Sequence, residues 1–220
     1  MRQIKIGDKW TLDNYGLLLA PNPTIDIASP KVETTPISGG DGSLDLTEAL
    51  TGEVNYNDRN INFGLVFIGN PSDWPSKYQE LVANVHGRRL DLIMPQYPGY
   101  CFNGRVSVGA LNVENDEGSA LVQLTASADP YRLKRQLTTV TATVPVSGSL
   151  TLNLVNERMT TLPTFTINAS SQIAIGSNSY SHVAGTFTIA NVFLVQGDNR
   201  ITIKATAGTK VTITYQEGAL

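Results

Sequence analysis

Residues 41–63 read DGSLDLTEALTGEVNYNDRNINF. The stretch opens as a Gly-rich turn. A polar–apolar ladder follows in Ser43-Leu44-Asp45-Leu46-Thr47, and Thr51-Gly52 makes a second turn. Val54 and Tyr56, and then Ile61, Phe63, Leu65 and Phe67, continue as an alternating run. Successive side chains of a strand point to opposite faces, so the run predicts a half-buried strand. Leu44, Leu46 and Leu50 stand among turn formers, where an ordinary loop would not keep them.

Outward from this stretch the chain stays mostly β. Residues 3–6 and 16–20 are candidate strands, the second closed by Pro21 and Pro23, which cannot donate to a ladder. Residues 21–38, interrupted by Pro30 and Pro36, read as an edge or crossing arm. One helix is expected at about 73–86. Ser72 or Asp73 can cap it, Pro75 fits its first turn, and Trp74, Tyr78, Leu81, Val82 and Val85 form one apolar stripe, with Gly87 as the stop. Strands are expected at 90–94, 100–108 and 111–113, then a hairpin turn at 115–118 and a return strand at 120–128. In that return strand Ala120, Val122, Leu124 and Ala126 face inward.

Asp129-Pro130-Tyr131 ends the first domain, taken as 1–131. Residues 132–137 are a basic linker, read as solvated; three cations without aromatic partners do not make a nucleic-acid site. Over 138–220 charges thin out and Leu150/Leu152/Leu154, Phe165/Ile167, Phe187/Ile189, Ile201/Ile203 and Val211/Ile213/Tyr215 alternate with polar residues. Turns fall at Ser147-Gly148, Gly176-Ser177-Asn178 and Gly197-Asp198-Asn199. The fold class is therefore mainly β. It comprises an N-terminal β-barrel- or sandwich-like domain with one α-helix and a C-terminal antiparallel β-sandwich of galectin or jelly-roll type.

Composition narrows function. The 220 residues are 41% hydrophobic and 16% charged, as folded proteins are, and a net charge of −3 predicts no general attraction to nucleic acid or anionic membrane. Cys101 is the single cysteine, so no intrachain disulfide and no cysteine-rich zinc site can form. No run of 18 apolar residues occurs and the N-terminus lacks a signal-peptide core, so a soluble, cytoplasmically made chain is expected.

Catalytic chemistry finds no motif. There is no G-x-S-x-G, and His86 and His182 sit in no recognisable constellation; His86 is expected to meet the last carbonyls of the helix. Asp41, Ser43 and Asp45 lack the spacing and the final acid of a calcium loop, and read instead as turn residues, with Asp41 and Asp45 accepting backbone N–H groups. Gly39-Gly40-Asp41-Gly42 has no lysine after it and so is no phosphate loop. Asp58 and Arg59 can pair, within the subunit or across to a neighbour. No catalytic, cofactor or metal residue is assigned. For a sugar site, the second domain offers Phe165, Tyr180, Phe187, Phe193 and Tyr215; only Tyr180 lies on a turn-like stretch and is the candidate contact.

Gly42, Leu44, Asp45, Thr47 and Leu50, followed by Tyr56, Arg59 and Phe63, carry a resemblance. The stretch resembles the N-terminal domain of the distal tail protein (Dit) family of long-tailed, siphovirus-type phages, which carries a similar D-G-x-L-D-L-T-x-A-L turn before a strand with an aromatic residue and an arginine. Asp129-Pro130-Tyr131 is similar to the family's domain junction, and the ending from Gly197 to Tyr215 is similar to the C-terminal sandwich of phage tail proteins. The resemblance implies a structural virion protein rather than an enzyme. It would form a homo-hexameric ring at the tail tip, between the tail tube protein and a hub of the tail-associated lysin type, carry receptor-binding proteins, and be assembled in the host cytoplasm. On that reading Asp41, Gly42, Leu44, Asp45, Thr47, Tyr56 and Arg59, with the arm 21–38, are the candidate assembly interface. The alternative is a carbohydrate-binding sandwich without ring function.

Overall fold

The structure, a computed structural model, describes residues 3–114 and 118–220; of the hairpin turn expected at 115–118, residues 115–117 lie outside them. Chain contacts divide it into two compact units, Met1–Arg132 and Leu133–Leu220.

In the first unit, alternation builds one antiparallel sheet. Its strands are β1 (Lys5–Ile6), β2 (Lys9–Trp10), β3 (Leu17–Leu19), β4 (Thr24–Ile25), β7 (Arg59–Phe67), β8 (Arg89–Ile93), β9 (Tyr100–Glu114) and β10 (Ser119–Ala128). They run in the order β2-β1-β8-β9-β10-β7-β3, with β4 also on β7. Between β4 and β7 lie β5 (Thr34–Pro36) and β6 (Ser43–Asp45), a two-stranded sheet of their own. Ile61, Phe63, Leu65 and Phe67 of β7 and Ala120, Val122, Leu124 and Ala126 of β10 are all buried, on one face of the sheet. The intervening Asn60, Asn62, Thr125 and Ser127 are exposed, as a one-sided sheet requires.

The helix that closes this core is α2 (Trp74–Val85). Trp74, Leu81 and Val85 are buried, Tyr78 and Val82 pack against the cluster, and Trp74 lies against Phe67 with ring centroids 6.1 Å apart. Neither expected cap operates: a 3-10 turn, Pro71–Asp73, precedes the helix, and Asn70 accepts from Ser72 N at 3.2 Å. The chain thus caps the turn that feeds the helix, not the helix itself. Gly87 is left-handed, as expected. His86 does not turn back onto the helix carbonyls. Its Nδ1 accepts from Val108 N at 3.1 Å, and this ties the helix end to β9.

Two features go beyond the expectations. A five-residue helix, α1 (Thr11–Tyr15), stands between the strands expected at 3–6 and 16–20; Asn14 Oδ1 accepts from Trp10 N at 2.8 Å. Residues 100–108 and 111–113 are one strand, because Gly109 and Ala110 together face Gln123 and form a bulge that keeps the ladder to β10 continuous.

The second unit is a β-sandwich. After β11 (Arg132–Lys134), whose first residue belongs to the first unit, its strands are β12 (Thr138–Thr143), β13 (Ser149–Asn156), β14 (Thr164–Ile167), β15 (Ser171–Ile175), β16 (Asn178–His182), β17 (Gly185–Thr188), β18 (Gly197–Ala205), β19 (Lys210–Tyr215) and β20 (Gly218–Ala219). Two four-stranded sheets, β12-β19-β14-β17 and β13-β18-β15-β16, contribute the core: Phe165, Ile167, Val211 and Ile213 from one, Leu154, Ile173, Ile201 and Ile203 from the other. The 132–137 segment is not simply a solvated linker. Lys134 lies on β11, which pairs β20, and bridges Glu217 at 2.7 Å and Glu157 at 3.3 Å. Only its far end, Arg135, Gln136 and Leu137, is exposed.

Candidate assembly surface

Residues 24–58 leave the sheet as an acidic, partly apolar ribbon. Backbone bonds zip its two sides: Asp26 N to Asn60 O at 2.9 Å, Asn57 N to Ser29 O and Lys31 N to Asn55 O at 2.8 Å, and Leu46 N to Glu33 O at 2.8 Å. The β5–β6 hairpin follows, with Thr34 opposite Asp45, Thr35 opposite Leu44 and Pro36 opposite Ser43. Proline lies on one side, and among the described residues no third strand joins the hairpin, so it is a ribbon paired within itself.

The structure separates the residues singled out from the sequence. Asp41, Gly42, Leu44 and Asp45 come together on the hairpin and are exposed; Gly42 turns the tip with φ +83°. The Thr47 hydroxyl, and then the Thr47 N–H that donates to Asp45 Oδ1 at 2.9 Å, hold the Asp45 carboxyl below its usual value, and Thr47 Oγ1 accepts from Glu33 N at 3.1 Å. Tyr56, half-buried at the root, meets Tyr131 edge-on, with centroids 5.9 Å apart. Arg59 is elsewhere: it is 2% exposed, on the core side of β7, and donates to Pro130 O instead of pairing with Asp58. The buried half of the 41–63 stretch therefore begins at Arg59, and Leu44 (56% exposed) and Leu50 (99%) belong to no core.

What sequence reading missed is the company these leucines keep. Ile27, Val32 and Ile37 are exposed on the same ribbon, and its charge is one-sided: seven acids, Asp26, Glu33, Asp41, Asp45, Glu48, Glu53 and Asp58, all exposed, against Lys31. Five exposed aliphatic side chains on one excursion are more than the single, scattered ones of an ordinary surface. The available signal was the coincidence of proline, acid and isolated branched aliphatics over 24–58.

On the second unit, Tyr180 does not form an exposed platform. It lies on β16 opposite Ile173, half-buried against the core. His182 stacks on Phe187 with ring centroids 4.1 Å apart, both half-buried, and Phe193 is 49% exposed. Among the described residues no three His, Cys, Asp or Glu gather as metal ligands, and no helix is long and apolar enough to cross a membrane.

A mainly β chain of two units, the first carrying a projecting ribbon, is what this geometry defines. No family model matches the chain, and no curated protein matches it in sequence. Among solved structures it is similar to the Dit protein (gp 19.1) of phage SPP1, described as a paradigm of the hub adsorption apparatus in phages infecting Gram-positive bacteria. The identity is 14% and the TM-score 0.67, over 97% of this chain and 98% of that one. At that identity the likeness is one of fold, and it spans both units. A de novo designed double-stranded β-helix (19% identity, TM-score 0.26, 37% of this chain and 99% of that one) and a conserved protein of unknown function from Pseudomonas aeruginosa (13%, 0.28, 90% and 99%) match too weakly to carry an argument.

Proposed function

We propose that the chain is a structural protein of a phage tail tip, a distal tail protein whose copies close into a hexameric ring. The ring joins the tail tube to the tail-tip hub, and the second unit carries peripheral host-recognition proteins. The protein acts by assembly, not catalysis, and resides in the virion after assembly in the host cytoplasm.

The observation that carries this reading is the fold likeness to SPP1 Dit along nearly the whole of both chains. The ribbon supports it. A ring needs heterologous contacts, in which one patch meets a different patch on the next copy, and residues 24–58 offer a projecting patch with five exposed aliphatic side chains. The carbohydrate-binding alternative has weaker support, because Tyr180 and Phe187 are packed inward.

The test is the mass of the purified chain in solution over a range of concentrations, alone and with the tail tube protein of the same phage. A particle of six times 23.7 kDa is expected under at least one condition. A protein that stays monomeric in both sinks the ring.

A further inference from the structure

Among the described residues, Arg59 and Arg132 of the first unit each have a buried Nε without a hydrogen-bond partner and no acid within ion-pairing distance. Arg59 is 2% exposed and donates to the carbonyl of Pro130, and its Nε is buried without a partner among the described residues. Its guanidinium carbon lies 5.6 Å from the centre of the Phe102 ring. Phe102 meets Tyr97 edge-on at 6.0 Å, and on Tyr97, at 4.6 Å, sits the guanidinium of Arg132, which also faces Tyr100 at 5.2 Å. The Nε of Arg132 is likewise buried and unpaired.

Arg59 and Arg132 are thus joined through two rings and are close enough to act on each other. Burial first, and then the Arg132 charge, push the Arg59 guanidinium below its ordinary value. Among the described residues no acid pairs with either. The acids next to them in sequence act elsewhere: Asp129 bridges Arg89, and Asp58 acts on Arg89 as well. A buried cation with one carbonyl partner is costly, and a second cation beside it raises the cost. Aromatic faces recover only part of it. What relieves the pair is an oxyanion, carboxylate or phosphate, two oxygens of which can accept two N–H groups from one fork.

We propose that Arg59 and Arg132 form a receptor for an oxyanion, filled in the assembled protein by a carboxylate of a second copy. The ribbon supplies seven exposed acids for that purpose, with one cation among them. The source of the carboxylate rests on the assembly reading above; the receptor itself does not.

The first experiment follows thermal unfolding of the full chain in rising inorganic phosphate at fixed ionic strength. Wild type is expected to gain about 3 °C near saturation. Arg132→Gln should be as stable as wild type or more so without phosphate, since it removes the like charge, and should not respond to phosphate. Arg132→Lys keeps the charge without the fork and should respond weakly. If Arg132→Gln melts lower and phosphate raises both proteins equally, Arg132 is a stacking residue and the receptor is overturned. The second experiment is particle mass. Loss of the assembled particle in phosphate and in Arg132→Gln supports a carboxylate from a second copy. Assembly that neither perturbs, beside an intact phosphate response, overturns that source and leaves free oxyanion as the ligand. A protein monomeric throughout overturns the second-copy source with the ring, and the receptor is decided by the melting alone.

Discussion

Asn199 grips Val195 by both ends of its amide: Oδ1 accepts from Val195 N at 2.9 Å and Nδ2 donates to Val195 O at 2.8 Å. The same Nδ2 faces Gly197 O at 3.0 Å and Leu154 O at 3.2 Å. Asn199 is 6% exposed, so one side chain satisfies buried main chain on both β13 and the turn into β18. Replacing it by alanine strands several of these groups away from water, at a cost of about 2–4 kcal/mol. Asn199→Ala should lower the urea midpoint of the second unit. A midpoint equal to wild type would mean that water replaces the amide.

A second site in the same unit governs the alkaline limit. Burial, then Glu217, raise the Tyr215 hydroxyl, which donates to Val155 O at 2.7 Å. Lys134 is also raised: burial opposes its charge, but Glu217 and Glu157 outweigh it. For both groups the folded state holds its proton more tightly than the unfolded chain. The stability they contribute is therefore full below their unfolded values of 10.0 and 10.5 and declines as pH rises through the folded ones. Denaturant midpoints should fall above about pH 10, and Tyr215→Phe should fall less steeply. An identical slope in the variant would remove tyrosine from the account.

Close approach fixes the pairing of β9 and β10. A Cβ added at Gly104 would lie 2.7 Å from Ser127 O and 2.8 Å from the Cα and Cβ of Ala128, two main-chain atoms and a Cβ fixed to one of them, none of which can swing aside. Gly104→Ala should destabilise the first unit by about 1–3 kcal/mol, read by thermal melting. Wild-type stability would show that the two strands can separate locally without loss.

The ribbon should behave oppositely. Leu44 and Leu50 touch no core, so Leu44→Asp with Leu50→Asp should change monomer stability by no more than about 0.5 kcal/mol. Assembly, read by light scattering or by binding to the tail tube protein, should weaken at least tenfold in concentration if the apolar row is the interface, about 1.4 kcal/mol. Undiminished assembly would move the interface off the ribbon.

Much of this was legible from residues 41–67 and their surroundings. The alternation of Ile61, Phe63, Leu65 and Phe67, the stripe from Trp74 to Val85 and the Thr- and Ile-rich strands beyond 138 are local signals. Period and polarity alone say which side of each element seeks cover, so the mainly β class, the main helix and the sandwich follow from sequence. Tertiary structure decided what lies opposite each face. The ladder Ser43-Leu44-Asp45 makes a strand, but nothing local says that Leu44 is left exposed, or that Arg59 turns inward onto Phe102 while Asp58 faces water. His86 meeting Val108, Tyr180 lying against the core and Arg132 sharing its surroundings with Arg59 join residues tens of positions apart. Burial and counter-charge are properties of such pairs, and they exist only once the chain has folded.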